Sequence, residues 1–529
     1  MKNRVTASLL ILMVPVLFTV SGCKKFLDRK PLTATLDDLN QGVEGQIFGI
    51  YSFLRTGEGF STLPWIDFHS IRDDDAQKGS DASDGAEVNR EFETFQYTKD
   101  DWATNSYWNN HYTMINQANE ALFTIDSLNL TTDAAMRNTG EACFFRAYAY
   151  WELMKAYGEV PLFKQRLVNP TDGIKDKSTL TELYAFVDSN LQVAAALLPP
   201  NSEAYGVGAK YEGRLTSGAA KTLLAQTYLF RQQWGQVVTL CNQIKSSGEY
   251  ELLAEFSDIW RDGVSGQYKN SKESIFEMQA HTGEGARGNP AVDFGSGWGT
   301  CQQVRRNGAP IEWNLGWGWN TPTQKLVDDW PATDPRKEKT ILFSGQSDGG
   351  TAKGGYGVIV PAYTNPDGNG GLAQRHWNKK LYTGNDPKDR VLTGWVNADG
   401  NAPWINHRIF RYADVILMLA EAANENGDGA TAEANLELVR NRASGNLGAG
   451  RTIVPKITFV DKAQMRTAIK NERRWEFAME GYRFYDLVRW GDAITELGSL
   501  GYTNRCRYYP IPQDAIDLTG GVLKQNPEW

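Results

Sequence analysis

Residues 411–442 read RYADVILMLAEAANENGDGATAEANLELVRNR, and the fold is decided there. Apolar residues recur at helical spacing over 411–424 and again over 431–442, with Gly427 and Gly429 between them, so a helical hairpin is expected. A tetratricopeptide repeat puts a small residue on its first helix and small or apolar residues 12, 16 and 19 positions later on its second. From Ala420 those offsets land on Ala432, Leu436 and Val439. From Ala225, in a second pair at 217–230 and 234–244, they land on Val237, Cys241 and Ile244.

More helices lie outward from these pairs. Over 107–128, Trp108, Tyr112, Ile115, Asn119 and Leu122 keep helical spacing. Asp133 is expected to cap a helix through Phe144, Tyr148, Trp151 and Tyr157, stopped by Gly158 and Pro161. A third helix over 179–198 closes at Pro199-Pro200, and 462–491 reads as continuously helical. The helical tryptophans Trp108, Trp151, Trp475 and Trp490 are expected in the core. Residues 250–408 separate the two pairs, so a contiguous repeat array is not expected. The fold class is mainly α: a tetratricopeptide-like scaffold (23–249 and 409–529) carrying a long irregular insert with short strands (250–408).

The insert differs in composition. It holds 9 of the 17 Trp, with strand-like runs at 274–278 and 340–343 joined by loops far longer than ordinary connections. Trp298, Trp313, Trp317 and Trp319 lie in Gly- and Asn-rich sequence without helical or alternating period, and Trp65 sits in a similar loop. An indole face suits the apolar C–H face of a sugar, and burying about 50 Å² is worth roughly 1 kcal/mol per ring. Two or three such rings on an arc, edged by Asp, Asn and Arg, would bind an oligosaccharide without chemistry. These five tryptophans are the candidate ligand-binding residues.

Catalytic motifs fail their context. Gly283 to Gly288 fits G-x-G-x-x-G, but Asn289-Pro290 follows where a dinucleotide site needs a helix N-terminus. Gly345-Gln346-Ser347-Asp348-Gly349 fits a nucleophile elbow, with His376 and His407 downstream, but a Gly-rich run replaces the required helix. None of the five His is spaced as a zinc pair. From Ser80, a calcium-loop template finds Asp84, Gly85 and Glu91 in register but meets Ser80 and Ala82 at its first ligand positions. The acidic run from Asp73 to Glu91 is therefore expected to be a solvated loop, and neither metal nor cofactor is expected. A glycosidase's carboxylate pair is set in space, and no two acids are singled out.

The N-terminus reads as an export signal. Lys2 and Arg4 precede an apolar run over 7–20, too short to span a membrane, then Val20-Ser21-Gly22-Cys23. Small residues before a Cys resemble a bacterial lipobox, which would make 1–22 a signal peptide and Cys23 the lipidated first residue. Removing 1–22 shifts the net charge of the 529-residue chain from −8 to −10. That acidity argues against a nucleic-acid partner, and a mean hydropathy of −0.46 against a polytopic membrane protein. Cys143, Cys241, Cys301 and Cys506 are widely spaced, with no disulfide framework written in; Cys143 and Cys241 read as small buried hydrophobes.

Several segments together resemble the SusD/RagB family of surface nutrient-binding lipoproteins. They are Cys23-Lys24-Lys25-Phe26-Leu27-Asp28, the run from Asn270 to Phe276, Asp334-Pro335-Arg336, and Arg411 to Ala422. The most specific is Asn471-Glu472-Arg473-Arg474-Trp475-Glu476-Phe477 leading to the run Gly481 to Gly491, followed by Tyr509-Pro510-Ile511-Pro512. The resemblance implies a single helical unit at the outer membrane surface. It also implies a SusC-like, TonB-dependent β-barrel partner that the lipoprotein covers as a lid, handing it captured glycan without catalysis. The RagB branch suggests peptide cargo instead, and a surface glycoside hydrolase is the remoter reading. Ligand sites in the family vary in position, so the tryptophan choices rest on composition alone. Arg473, Arg474, Glu476 and Arg489 read as a buried ionic scaffold.

Overall fold

The computed structural model describes residues 36–204, 209–261, 268–280, 297–306, 313–366, 370–384 and 405–529, with side chains from residue 42. Residues 1–22, Cys23, His281 and the glycine motif at 283–288 lie outside the described residues.

The first described helix, α1 (Leu36–Thr56), was not anticipated. Its signal is the stripe Val43, Ile47, Ile50 and Leu54, all fully buried. α2 (Trp102–Ser127) starts at Asp101, whose carboxylate accepts from the backbone N–H groups of Ala103 and Thr104. α3 (Asp133–Tyr157) is capped by Thr132 rather than Asp133, because the Thr132 side chain accepts from Ala135 N–H. α4 (Leu180–Leu197) opens on a reciprocal Thr179–Glu182 capping box. Then come α5 (Ser217–Phe230), α6 (Trp234–Ser246), α7 (Tyr412–Glu425), α8 (Gly429–Ala443), α9 (Lys462–Glu476) and α10 (Arg483–Trp490). The expected continuous helix over 462–491 is broken: Met479 and Gly481 adopt φ of +68° and +79°, which no right-handed helix passes through.

In space, α2 to α9 stack in chain order, and α6 packs directly on α7 although the insert separates them in sequence. The array is thus interrupted in the chain and continuous in the fold. The reason is visible in the template positions. Ala225, Val237, Cys241, Ile244, Ala420, Ala432, Leu436 and Val439 are all at most 2% exposed, and an isolated helical hairpin cannot cover both its faces. All four described cysteines are free and buried.

The irregular half holds three two-stranded antiparallel sheets. β1 (Ala76–Gly79) pairs with β3 (Trp319–Pro322), placing Gly79 opposite Trp319. β2 (Ser274–Met278) pairs with β6 (His407–Arg411), which runs straight into α7. β4 (Ile341–Phe343) pairs with β5 (His376–Asn378). β1 lies outside 250–408, so the irregular half also recruits chain from the N-terminal segment.

A buried ionic network joins the halves. Glu476 accepts from Arg336 at 3.0 Å and Arg411 at 2.6 Å, and also from Arg442. Arg473 reaches Asp414 at 2.7 Å and Asp486 at 2.8 Å, and Arg489 pairs with Glu421 and Asp486. The acidic run expected to be solvated is instead enclosed at its start: Asp73, Asp74 and Asp75 are 2–6% exposed. Arg474 holds Asp75 at 2.6 Å and Arg483 holds Asp74 at 2.9 Å, so the C-terminal block pairs two of the three, while Asp73 accepts from the N–H groups of Asp75 and Ala76, each at 2.8 Å. Such networks fix the mutual orientation of elements more than they add net stability. Trp108, Trp151 and Trp475 are buried as expected; Trp490 is half-buried and donates its Nε1–H to Glu421 at 2.9 Å.

Candidate functional site

The five candidate tryptophans do not form one open arc. Trp65 lies in a one-turn helix (Leu63–Ile66) with Pro64 at its start, is 6% exposed, and stacks on His69 with centroids 4.0 Å apart. Trp298 meets it edge-on at 4.5 Å and stacks on His407 at 4.0 Å. Gly481 lies against this seam, since a Cβ there would come within 2.6 Å of the Trp65 ring. Trp313 is enclosed with Leu342, Val360, Leu372 and Trp377, parallel to Tyr382. Trp319 is covered by Gly85, whose Cβ would stand 2.4 Å from the indole, and by Lys78 at 5.2 Å from the ring centroid. These four rings cement the insert to itself and to the scaffold. Their sequence context of Gly and Asn reflects close packing around large rings, not exposure. Trp317 alone among the five is half-buried.

The surface beside the Trp317–Gly318 backbone is polar and built by three segments. Gly318, next in the chain, accepts through its carbonyl from Ser80 N–H at 2.5 Å. Arg305 packs against Gly318, pairs with Asp81 at 2.8 Å, and also binds Asp84. Lys78 Nζ donates to the carbonyls of Asp81 at 2.9 Å and Asp84 at 2.6 Å. Two protein cations therefore occupy the loop that the calcium template had matched. Among the described residues no group of three or more His, Cys, Asp or Glu is placed to hold a metal. Gln374 donates to Ser80 O at 2.8 Å and accepts from Gln77 at 3.1 Å. Ala82 N–H donates to Pro366 O at 3.3 Å, tying this loop to the segment that carries Tyr363. The exposed Arg375 guanidinium lies 4.3 Å over the Tyr363 ring. The face thus offers an Arg-stacked phenol, two amides and an Arg–Asp pair, which is hydrogen-bonding chemistry for hydroxyl groups, while the half-buried Trp317 ring packs against the main apolar core.

Ser347 is no elbow. It forms an isolated bridge with Ile359, and Asp348 beside it accepts from the N–H groups of Gly350, Tyr356, Gly357 and Val358, closing the turn. Despite burial, which pushes it up, those four donors hold the Asp348 carboxyl below its ordinary value. His376 packs edge-on against Phe343 at 5.4 Å, and burial pushes His407 down to about 3.

Residues 272–505 match the model described as the SusD family, and residues 67–229 match the model described as starch-binding, associating with the outer membrane. The chain belongs to the SusD/RagB family. A SusD-like protein of Formosa agariphila is 24% identical over 98% of this chain and 98% of its own. A solved structure of a laminarin binding SusD-like protein is 26% identical, with a TM-score of 0.71 over 92% of this chain and 99% of that one. A SusD homolog from Bacteroides thetaiotaomicron has the same fold, with a TM-score of 0.74 at 21% identity over 94% of this chain and 99% of its own. On this SusD-like scaffold, Gln77, Tyr363, Gln374 and Arg375 are the surface residues that the sequence reading missed. Tyr363 carried the same signal as the tryptophans, an aromatic in a turn-rich run before Asn365-Pro366.

Proposed function

We propose that the chain is a non-catalytic lipoprotein, anchored at the outer membrane surface through Cys23, that captures an oligosaccharide on the Trp317 face. It hands the cargo to a SusC-like, TonB-dependent β-barrel. The observation that carries this reading is the near full-length likeness to a laminarin binding SusD-like protein. The polar–aromatic face supports it: Trp317 and Tyr363 supply apolar ring surface, and Arg305, Gln77 and Gln374 supply hydroxyl partners. The buried Trp298, Trp313 and Trp319 hold the insert in shape, and Trp65 faces a separate cavity.

Affinity electrophoresis of the mature chain against a polysaccharide panel tests the cargo. Retardation by at least one glycan, weakened by Trp317→Ala, is expected. Binding to a peptide library with no glycan retarded would move the cargo to peptides, and chain shortening of a bound glycan would make the protein a glycoside hydrolase. Cys23→Ala should release the protein from the membrane fraction, and retention of that variant would remove the anchor.

A further inference from the structure

The scaffold holds a second cavity whose walls do not include Trp317, Arg305 or Gln374. It lies between α3, α5, β6 and α10, opens to solvent, and offers about 70 Å³ of free space within its walls. Trp65, Trp151, Phe230 and Tyr482 supply aromatic walls, and Lys155, Gln226 and His407 supply polar ones.

The charges around it balance. Glu152, Asp414, Glu480 and Asp486 face it, as do Lys155, Arg408, Arg473 and Arg489. Every acid is engaged. Glu152 takes Lys155 at 2.9 Å and His69 at 2.8 Å, and Asp414 takes Arg473 at 2.7 Å. Glu480 takes Arg411 at 2.8 Å, and Asp486 takes Arg473 and Arg489, each at 2.8 Å. A neutralised wall gives an ion little return for its lost hydration, so it favours a neutral guest.

Hydrogen-bonding positions, by contrast, are left open. An ammonium has three N–H donors, and Glu152 is the acceptor for Lys155 among the described residues. Gln226 donates through Nε2 to Asp414 at 2.8 Å, while its Oε1 receives no donor among the described residues. His407 is 5% exposed, and its Nδ1 has no hydrogen-bond partner among the described residues. Of these, His407 Nδ1 is fully buried, so leaving it unpaired is costly and a guest of matching chemistry removes that cost, while the half-buried Lys155 and Gln226 are open to a guest from solvent.

We propose that this cavity, through its open mouth, takes part of a neutral, hydroxyl-rich small molecule such as a polyol or a single sugar ring. Its hydroxyls meet Lys155, Gln226 and His407, and its C–H surface lies against the aromatic walls. The site is separate from the Trp317 face and stands or falls independently of it.

The test titrates single monosaccharides and glycerol into the mature chain by calorimetry and ligand-observed NMR. A monosaccharide is expected to bind, with affinity reduced about tenfold in Gln226→Ala and in Lys155→Met, the loss of one or two hydrogen bonds. Oligosaccharide binding on the Trp317 face stays unchanged in both. Gln226→Ala is the decisive variant should Lys155→Met, which leaves Glu152 without its cation, fail to fold. Trp317→Ala does the reverse, weakening the oligosaccharide and keeping the monosaccharide. The proposal is overturned if no monosaccharide or polyol binds, if binding survives Gln226→Ala unchanged, or if a soaked crystal shows only water in the cavity.

Discussion

Glu476 accepts from Arg411 at 2.6 Å, with both side chains sealed from solvent. The pair joins α9 to the point where β6 becomes α7, and the same carboxylate takes Arg336 from the insert at 3.0 Å. Despite burial, which pushes it up, Arg442, Arg411 and Arg336 hold the Glu476 carboxyl well below its ordinary value. Scaffold and insert are therefore locked by one shared acid.

Removing that acid leaves three guanidinium groups short of a counter-charge. Glu476→Gln should lower stability by about 3–5 kcal/mol, and Arg411→Met by a similar amount. The double replacement Arg411→Met with Glu476→Gln should cost clearly less than the sum, because the two opposite charges of the pair are removed together. Urea denaturation of the four proteins measures this, and strict additivity would mean the two residues are not energetically coupled.

Asp67 gives a pH prediction. It is fully buried, and neither carboxylate oxygen has a hydrogen-bond partner among the described residues. Burial first, then Asp101, Glu87 and Glu91, push its pKa well above the ordinary value. The unfolded group ionises near about 3.9. Above that pH the unfolded state binds fewer protons, and this residue's contribution to stability falls as pH rises, by up to about 1.4 kcal/mol per unit until the folded group ionises. Asparagine cannot ionise. The stability of Asp67→Asn relative to wild type should thus rise from pH 5 to pH 7 in urea denaturation, and a difference that is flat in pH would show that Asp67 is ionised when folded.

The tryptophans divide by role. Trp65→Ala removes a buried ring stacked on His69 and should lower stability by about 3–5 kcal/mol. Trp317→Ala touches a half-buried ring and should cost little stability while weakening glycan affinity by about five- to tenfold, roughly the worth of one stacked ring. Thermal melts and calorimetry on the two variants separate these outcomes; a stable Trp65→Ala protein, or an unchanged affinity in Trp317→Ala, would reverse the assignment.

The scaffold was legible because helix pairs write their contacts locally. Ala420 with Leu436, or Ala225 with Cys241, can be found by counting along one chain, and the caps at Thr179 and Asp101 lie beside the helices they start. The break after Glu476 was not legible, because Gly481 takes its shape from contact with Trp65, more than four hundred residues away. Exposure of the loop indoles was misread for the same reason: the covers of Trp319, Gly85 and Lys78, come from another segment entirely. Burial of the acidic run depended on Arg474 and Arg483, equally remote in sequence. Local periodicity thus shows which elements form, and long-range packing decides which side chains remain free to bind.

The most direct test is calorimetric titration of the mature chain with the polysaccharide that retards it, followed by product analysis of the same sample. Saturable binding with no new reducing ends, unaffected by Ser347→Ala and weakened by Trp317→Ala, is predicted. Release of shorter sugars from the sample, or full affinity in Trp317→Ala, would contradict the account.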